Sequence, residues 1–90
     1  MDMQVARTRV RGVVEARYLG DYRIWIRFDN GHEGLIDLED DLWGEDQHVA
    51  LRDMGLFSEL YVDKGRATIV WDNGSDFNPE YLYARLTRLH

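Results

Sequence analysis

Cysteine is absent from the 90 residues. That absence excludes a disulfide framework, a thiolate metal cluster and a cysteine nucleophile. Long apolar runs are missing too: none approaches the roughly 18–20 residues that a membrane-spanning helix requires, so no membrane partner is expected. The opening stretch MDMQVARTRVRG mixes charges throughout, and it has neither the apolar core nor the small-residue cleavage site of a secretory signal. Cytoplasmic residence is the expectation.

Catalytic signatures are equally scarce. Ser58 and Ser75 are the only serines, and neither lies in a Gly-x-Ser-x-Gly elbow. No glycine-rich phosphate loop is present. The three histidines, His32, His48 and His90, show no metal-ligand spacing such as His-x-x-x-His, and His32 and His90 read as surface residues. The sequence therefore points to no enzyme, no cofactor and no resident metal.

What is present suits a folded domain. Hydrophobic residues make up 44%, including three Trp, five Tyr and three Phe, which is too apolar for disorder. A chain of this length buries roughly 60–65% of the surface it exposes when unfolded, enough for one core. A single domain over residues 1–90 is expected. The net charge of -6 is unevenly spread: residues 1–27 carry six Arg against three acids, whereas residues 28–63 carry eleven acids against Arg52 alone. Such a middle repels a phosphate backbone.

The local patterns predict an α+β fold with an antiparallel sheet of about five strands. Residues 8–19 alternate, with Val10, Val14, Ala16 and Tyr18 on one side and Arg9, Arg11, Val13, Glu15 and Arg17 on the other, as in a strand with one core face. Arg23 to Phe28 alternates again after the Gly20-Asp21 turn. At Asp29-Asn30-Gly31 a two-residue turn would set Ile24 opposite Asp37 and Phe28 opposite Glu33. A three-residue loop with Gly31 in the left-handed region instead pairs Ile24 with Ile36, Trp25 with Leu35, Arg27 with Glu33 and Arg23 with Asp37. The three-residue loop is the prediction, completing a three-stranded meander.

Asp37 is placed to cap a short central helix beginning near Leu38, with Glu39, Asp40 and Asp41 in its positive first turn and Gly44 at its end. Residues 47–57 suggest another helical turn and then a loop that delivers Phe57 to the core. A hairpin follows, with Lys64-Gly65 as its turn and Val62 opposite Ala67, Leu60 opposite Ile69 and Asp63 opposite Arg66. The last helix packs on the sheet. It runs from Pro79 to about Arg88, with Asn78 as cap and Leu82, Leu86 and Leu89 on one stripe.

The stretch WDNGSDFNPEYLY is dense in oxygen ligands. As a calcium loop it fails: with Asp72 at position one, Phe77 falls where the glycine belongs and Tyr83 where the bidentate Glu belongs. Turn and cap chemistry accounts for it, and no metal is assigned to Asp72 and Asp76. Among the aromatics Trp25, Trp43, Trp71, Tyr81 and Tyr83, core packing suits Trp71. Trp43 in its acidic setting is the better interface candidate.

Two segments, YLGDYRIWIRFDNGHEGLIDLEDDL and VDKGRATIVWDNGSDFNPEYLY, together resemble the bacterial family catalogued as domain of unknown function 2442. The resemblance rests on Phe28, Asp29 and Gly31, on Asp37-Leu38, and on Trp71, Gly74, Asp76, Pro79, Glu80, Leu82 and Tyr83. It covers about residues 10–83, leaving the basic N-terminus as a departure. It implies a compact α+β domain and no established activity. Similar small proteins often sit beside a second small open reading frame in a toxin–antitoxin-like pairing, and some relatives carry a helix-turn-helix after the domain.

Residues and resemblance together suggest a noncatalytic module that binds another small protein, one encoded adjacently, as the antitoxin-like or regulatory member of a pair. Its contact surface is expected at Glu39, Asp40, Asp41, Trp43, Glu45 and Asp46. The alternative is a homodimer that aligns Arg7, Arg9, Arg11 and Arg17 of the N-terminal strand against nucleic acid.

Overall fold

The computed structural model describes residues 12–44 and 46–88. Strands β1 (Val13–Gly20), β2 (Arg23–Phe28) and β3 (Glu33–Asp37) form an antiparallel meander in the order β1-β2-β3. Three short helical segments follow: α1 (Glu39–Gly44), a 3-10 turn (Asp46–Arg52) and α2 (Met54–Phe57). A two-stranded hairpin of β4 (Tyr61–Asp63) and β5 (Thr68–Val70) precedes the C-terminal helix α3 (Pro79–Arg88). The α+β architecture is the expected one, with its five strands divided between a sheet and a separate hairpin.

The β2–β3 register agrees with the sequence argument at every predicted pair: Arg23 with Asp37, Ile24 with Ile36, Trp25 with Leu35, and Arg27 with Glu33. Gly31 has φ +92°, and its amide donates to the Phe28 carbonyl at 3.0 Å. The same turn recurs before α3. Phe28 N donates to His32 O at 2.8 Å and Trp71 N to Ser75 O at 3.0 Å, while Asn30 and Asn73 each accept the amide two residues on at 3.0 Å. Gly74, with φ +94°, matches Gly31. The repeated Asp-Asn-Gly is thus one turn design used twice, in which the Asn side chain stands in for a backbone acceptor.

Two expectations are corrected. Val14 is exposed and Val13 buried, the reverse of the predicted faces, because the pairing slips between Val13–Phe28 and Glu15–Arg27. One extra residue in β1 reverses the alternation that precedes it. The cause is tertiary: Val13 N donates to Ala67 O at 2.7 Å, joining β1 to the hairpin. The approach there is so close that a Cβ on Gly12 would lie 2.5 Å from the Ala67 carbonyl oxygen. The second correction concerns the hairpin, which pairs Tyr61 with Val70, Val62 with Ile69 and Asp63 with Thr68, leaving a four-residue loop. Asp63 organises that loop: its Oδ1 accepts the amides of Gly65 at 2.8 Å and Arg66 at 3.2 Å, and its carbonyl accepts Ala67 N at 2.7 Å. These local bonds, with Ala67 at φ 59°, displace the two-residue turn.

The inner face of the sheet supplies Ile24, Ile26, Phe28 and Ile36 to the core, opposite Leu82 and Leu86 of α3. Helix α3 begins as expected, with Asn78 Oδ1 accepting Glu80 N at 2.7 Å. Leu89, the third residue of its predicted stripe, lies outside the described residues. Phe57 reaches the core from the end of α2 rather than from a loop, because Asp53 caps that helical turn by accepting from Gly55 N at 2.9 Å. Trp71 seals the far side, buried as predicted.

Candidate functional site

Helix α1 is anchored by Leu38 and Leu42, both fully buried and one turn apart. Asp37 Oδ1 accepts Glu39 N at 2.9 Å, the expected cap. With that face inward, Glu39 and Asp40 point to solvent. Asp41, three residues after Leu38, falls beside the buried stripe, and its side chain is only 8% exposed. Adjacent carboxylates in the predicted acidic patch therefore have opposite environments.

Asp41 is the point where α3 is fastened to α1. Its Oδ2 accepts the Tyr81 hydroxyl and its Oδ1 pairs with the Arg85 guanidinium, whose second terminal nitrogen donates to the Asp37 carbonyl at 2.7 Å. Tyr81 and Arg85 reach one carboxylate because they are four residues apart on one helix face. Partial burial opposes the Arg85 charge, but the hydrogen bonds to Asp41 and Tyr81 and the Asp41 charge outweigh it and raise its pKa. The bond to Asp41, aided by burial, likewise raises the Tyr81 phenol above its ordinary value of 10.0.

A pH dependence follows. A group whose pKa is raised on folding contributes stability that is complete below its unfolded pKa and lost as pH rises through the folded value. Urea denaturation at several pH values from neutral upward should show stability falling above pH 10. Tyr81→Phe should make the fall shallower without abolishing it, because the Tyr61 phenol is also raised, by its bond to Asp72, and that of Tyr22 by burial. A Tyr81→Phe profile parallel to that of the wild type would refute this assignment.

Between these elements lies a solvent-open cleft of about 700 Å³. Asp40, Asp41 and Gly44 of α1 and His48 of the 3-10 turn form one wall, and Asp76 and Phe77 with Tyr81 and Arg85 of α3 form the other. The His48 ring stacks on Phe77 at 4.4 Å and 18°, and Phe77 stacks on Tyr81 at 6.3 Å and 16°. His48 Nδ1 is buried without a hydrogen-bond partner, which is unusual for a buried polar atom. No sequence motif marks this cleft. The spacing of Tyr81 and Arg85 was the signal available for it, and the partner to read it against was forty residues upstream.

Outside the cleft, Trp43 is 52% exposed. Its ring meets the Tyr22 ring edgewise at 5.3 Å, and the Arg52 guanidinium lies 5.3 Å from its centroid. Arg52 is itself held by its Nε bond to the Leu42 carbonyl at 2.8 Å. Asp46 is exposed at the start of the 3-10 turn, and Glu45 lies outside the described residues. Arg7, Arg9 and Arg11 are also outside them. Arg17 lies on the outer face of the sheet, its guanidinium 5.7 Å from the Trp25 centroid. Tyr83 instead ties α3 to the first Asp-Asn-Gly turn, its hydroxyl 2.6 Å from His32 Nδ1 and 3.2 Å from Asn30 Nδ2.

The oxygen-rich stretch is occupied by protein partners. Asp76 Oδ2 accepts from Arg66 at 3.2 Å, and Asp72 accepts the Tyr61 hydroxyl. Among the described residues no three His, Asp or Glu side chains gather as a metal site, and no helix there is long and apolar enough to cross a membrane.

The fold is shared with a solved structure from Nitrosomonas europaea ATCC 19718, named a putative DNA binding protein, at a TM-score of 0.75 and 17% identity. The similarity covers 87% of this chain and 50% of that one, so the chain spans about half of that protein's length. No curated protein matches the chain. A family model described as protein of unknown function, DUF2442, matches residues 13–88. With the sheet, the hairpin and α3 all inside that match, the chain belongs to the DUF2442 family.

Proposed function

We propose that the protein is a noncatalytic, cytoplasmic binding module for another small protein, the antitoxin-like or regulatory member of a two-protein bacterial pair. The observation that carries this reading is Trp43. A half-exposed indole held between Tyr22 and Arg52 has already lost much of the freedom that binding would otherwise remove, and tryptophan is among the residues enriched at binding hot spots. Exposed Glu39, Asp40 and Asp46 surround its segment with negative charge, which favours a basic partner and accelerates encounter at low salt. The pairing of similar small proteins with a second small open reading frame supports the antitoxin-like role.

The test is affinity capture with the tagged protein from its native host at low salt, with and without nuclease. One stoichiometric, nuclease-resistant protein is expected. Trp43→Ala should weaken its capture by about tenfold or more, as for an interface anchor, and Glu39→Gln with Asp46→Asn should reduce its salt dependence. Unchanged affinity in both variants would refute the surface.

A second reading, nucleic-acid binding, has one structural observation in its favour. Arg17, Trp25 and Leu35 form a row across the outer face of the sheet, and the Nitrosomonas europaea protein is named for DNA binding. Against it, Glu15, Glu33 and Asp37 lie on the same strands, and Arg17 and Arg27 both pair with Glu15. Capture of nucleic acid that falls steeply with salt and disappears in Arg17→Ala would favour this reading over the first.

A further inference from the structure

The cleft between α1 and α3 holds three carboxylates, Asp40, Asp41 and Asp76, against one guanidinium, Arg85. These charges are not equally available. Both oxygens of Asp41 are engaged, by Tyr81 and Arg85, and both terminal nitrogens of Arg85 are engaged, by Asp41 and the Asp37 carbonyl. The two charges of that pair offset each other, and each terminal nitrogen of Arg85 already has a protein partner. Asp76 is half-neutralised by Arg66 at its exposed rim. Asp40 takes part in no ion pair among the described residues. The cleft therefore presents net negative charge, and its free acceptor is on α1, on the surface proposed above for a basic partner.

The walls narrow the choice of cation. Tyr81, 42% exposed, offers an aromatic face, backed by the buried Phe77 ring stacked nearly parallel to it, and an aromatic face attracts a planar guanidinium by charge and by stacking together. His48 lines the cleft beside them, its ring stacked on Phe77. An exposed carboxylate and an exposed aromatic face lining one cleft are the complement of a flat cation. An ammonium group would satisfy the charge and be drawn to the ring, but it cannot stack flat on it.

We propose that this cleft is a docking site for one arginine side chain of a basic segment in the partner protein, with Asp40 as its counter-ion and Tyr81 as its stacking surface. The proposal rests on the reading of the protein as a protein-binding module, and it adds a second contact distinct from Trp43.

The experiment is an amide-resolved NMR titration of the 90-residue protein with acetyl-Gly-Arg-Gly-amide. The controls are the matched citrulline peptide, which keeps the shape without the charge, and the matched lysine peptide. The arginine peptide should give saturable shifts centred on Asp40, Phe77 and Tyr81. Lysine should bind more weakly and citrulline about tenfold or more weakly, reflecting loss of a charge-assisted contact. Asp40→Asn, an exposed substitution compatible with folding, should weaken arginine binding about fivefold, and Trp43→Ala should leave it unchanged. Equal binding of arginine and citrulline, an unaffected Asp40→Asn variant, shifts confined to another surface, or no saturable shift at millimolar peptide would each overturn the proposal.

Failure here is separable from failure of the module itself. If the peptide does not bind yet Trp43→Ala abolishes partner capture, the cleft assignment falls and the module stands. If the peptide saturates the cleft while the Trp43, Glu39 and Asp46 variants capture normally, the cleft assignment is supported and the Trp43 surface falls.

Discussion

Trp71→Ala is expected to remove most of the protein's stability. The indole is 2% exposed and lies against Phe57, at 5.6 Å between ring centroids, and Phe77, at 6.0 Å. It joins the helical segment before β4 to the segment that leads into α3. Truncating so large a buried ring costs about 3–5 kcal/mol. The side chain also donates its indole N–H to the Phe57 carbonyl at 2.9 Å; that carbonyl keeps a longer bond from Leu60 N at 3.3 Å, so losing the indole bond adds about 0.5–1.5 kcal/mol. Against a total of about 5–15 kcal/mol for an ordinary domain, such a loss leaves the fold marginal or absent. Urea denaturation followed by far-UV circular dichroism is the measurement. Trp71→Phe should separate the two contributions, because it retains a ring but not the donor and should cost less than Trp71→Ala. A cooperative Trp71→Ala transition close to the wild-type midpoint would contradict this packing account.

Asp41→Ala is the second large effect, at about 2–4 kcal/mol, because it leaves a partly buried guanidinium without its counter-ion. Asp41→Asn should cost less, since an amide oxygen still accepts a hydrogen bond from Tyr81 or Arg85. Asp40→Ala, one residue away and exposed, should change stability by no more than about 0.5 kcal/mol. A double-mutant cycle between Asp41 and Arg85 should return a clear coupling energy. Similar midpoints for the Asp40 and Asp41 alanine variants would show that the inward pair does not hold α3 to α1. Because Asp41 faces inward, its substitution should affect partner capture through lost stability rather than lost contact, unlike Trp43.

Much of the architecture was legible because local chemistry and burial agree. The Asp29-Asn30-Gly31 loop is the clearest example: the competing register would have placed Asp37 beside Ile24, and the pairs Ile24–Ile36 and Arg27–Glu33 are those observed. The caps at Asp37 and Asn78 were legible for the same reason, since each side chain bonds an amide two residues away. In the β4–β5 hairpin, two local solutions competed. The bonds of Asp63 to Gly65 and Arg66 decided for the longer loop, and nothing in the alternation of Val62 and Ile69 announces that choice.

The candidate site was less legible. Acidic residues and an exposed-looking tryptophan are visible in the chain, but a run of carboxylates carries no sign of which one turns inward. His48 showed no metal spacing and no pattern at all. Its place beside Phe77 depends on how the 3-10 turn packs against the segment before α3.

By itself, the sequence determined the α+β class, the β2–β3 register, the helix caps, the twice-used Asp-Asn-Gly turn and the exclusion of cysteine chemistry. Each follows from interactions within a few residues or from a face that must be buried. Only the tertiary structure decided that Val13 rather than Val14 enters the core, that Asp41 closes on Tyr81 and Arg85 while Asp40 stays exposed, and that a cleft opens between α1 and α3. Those outcomes depend on bonds such as Val13 to Ala67 and Asp41 to Arg85, whose partners are brought together across more than forty residues by the packing of the core.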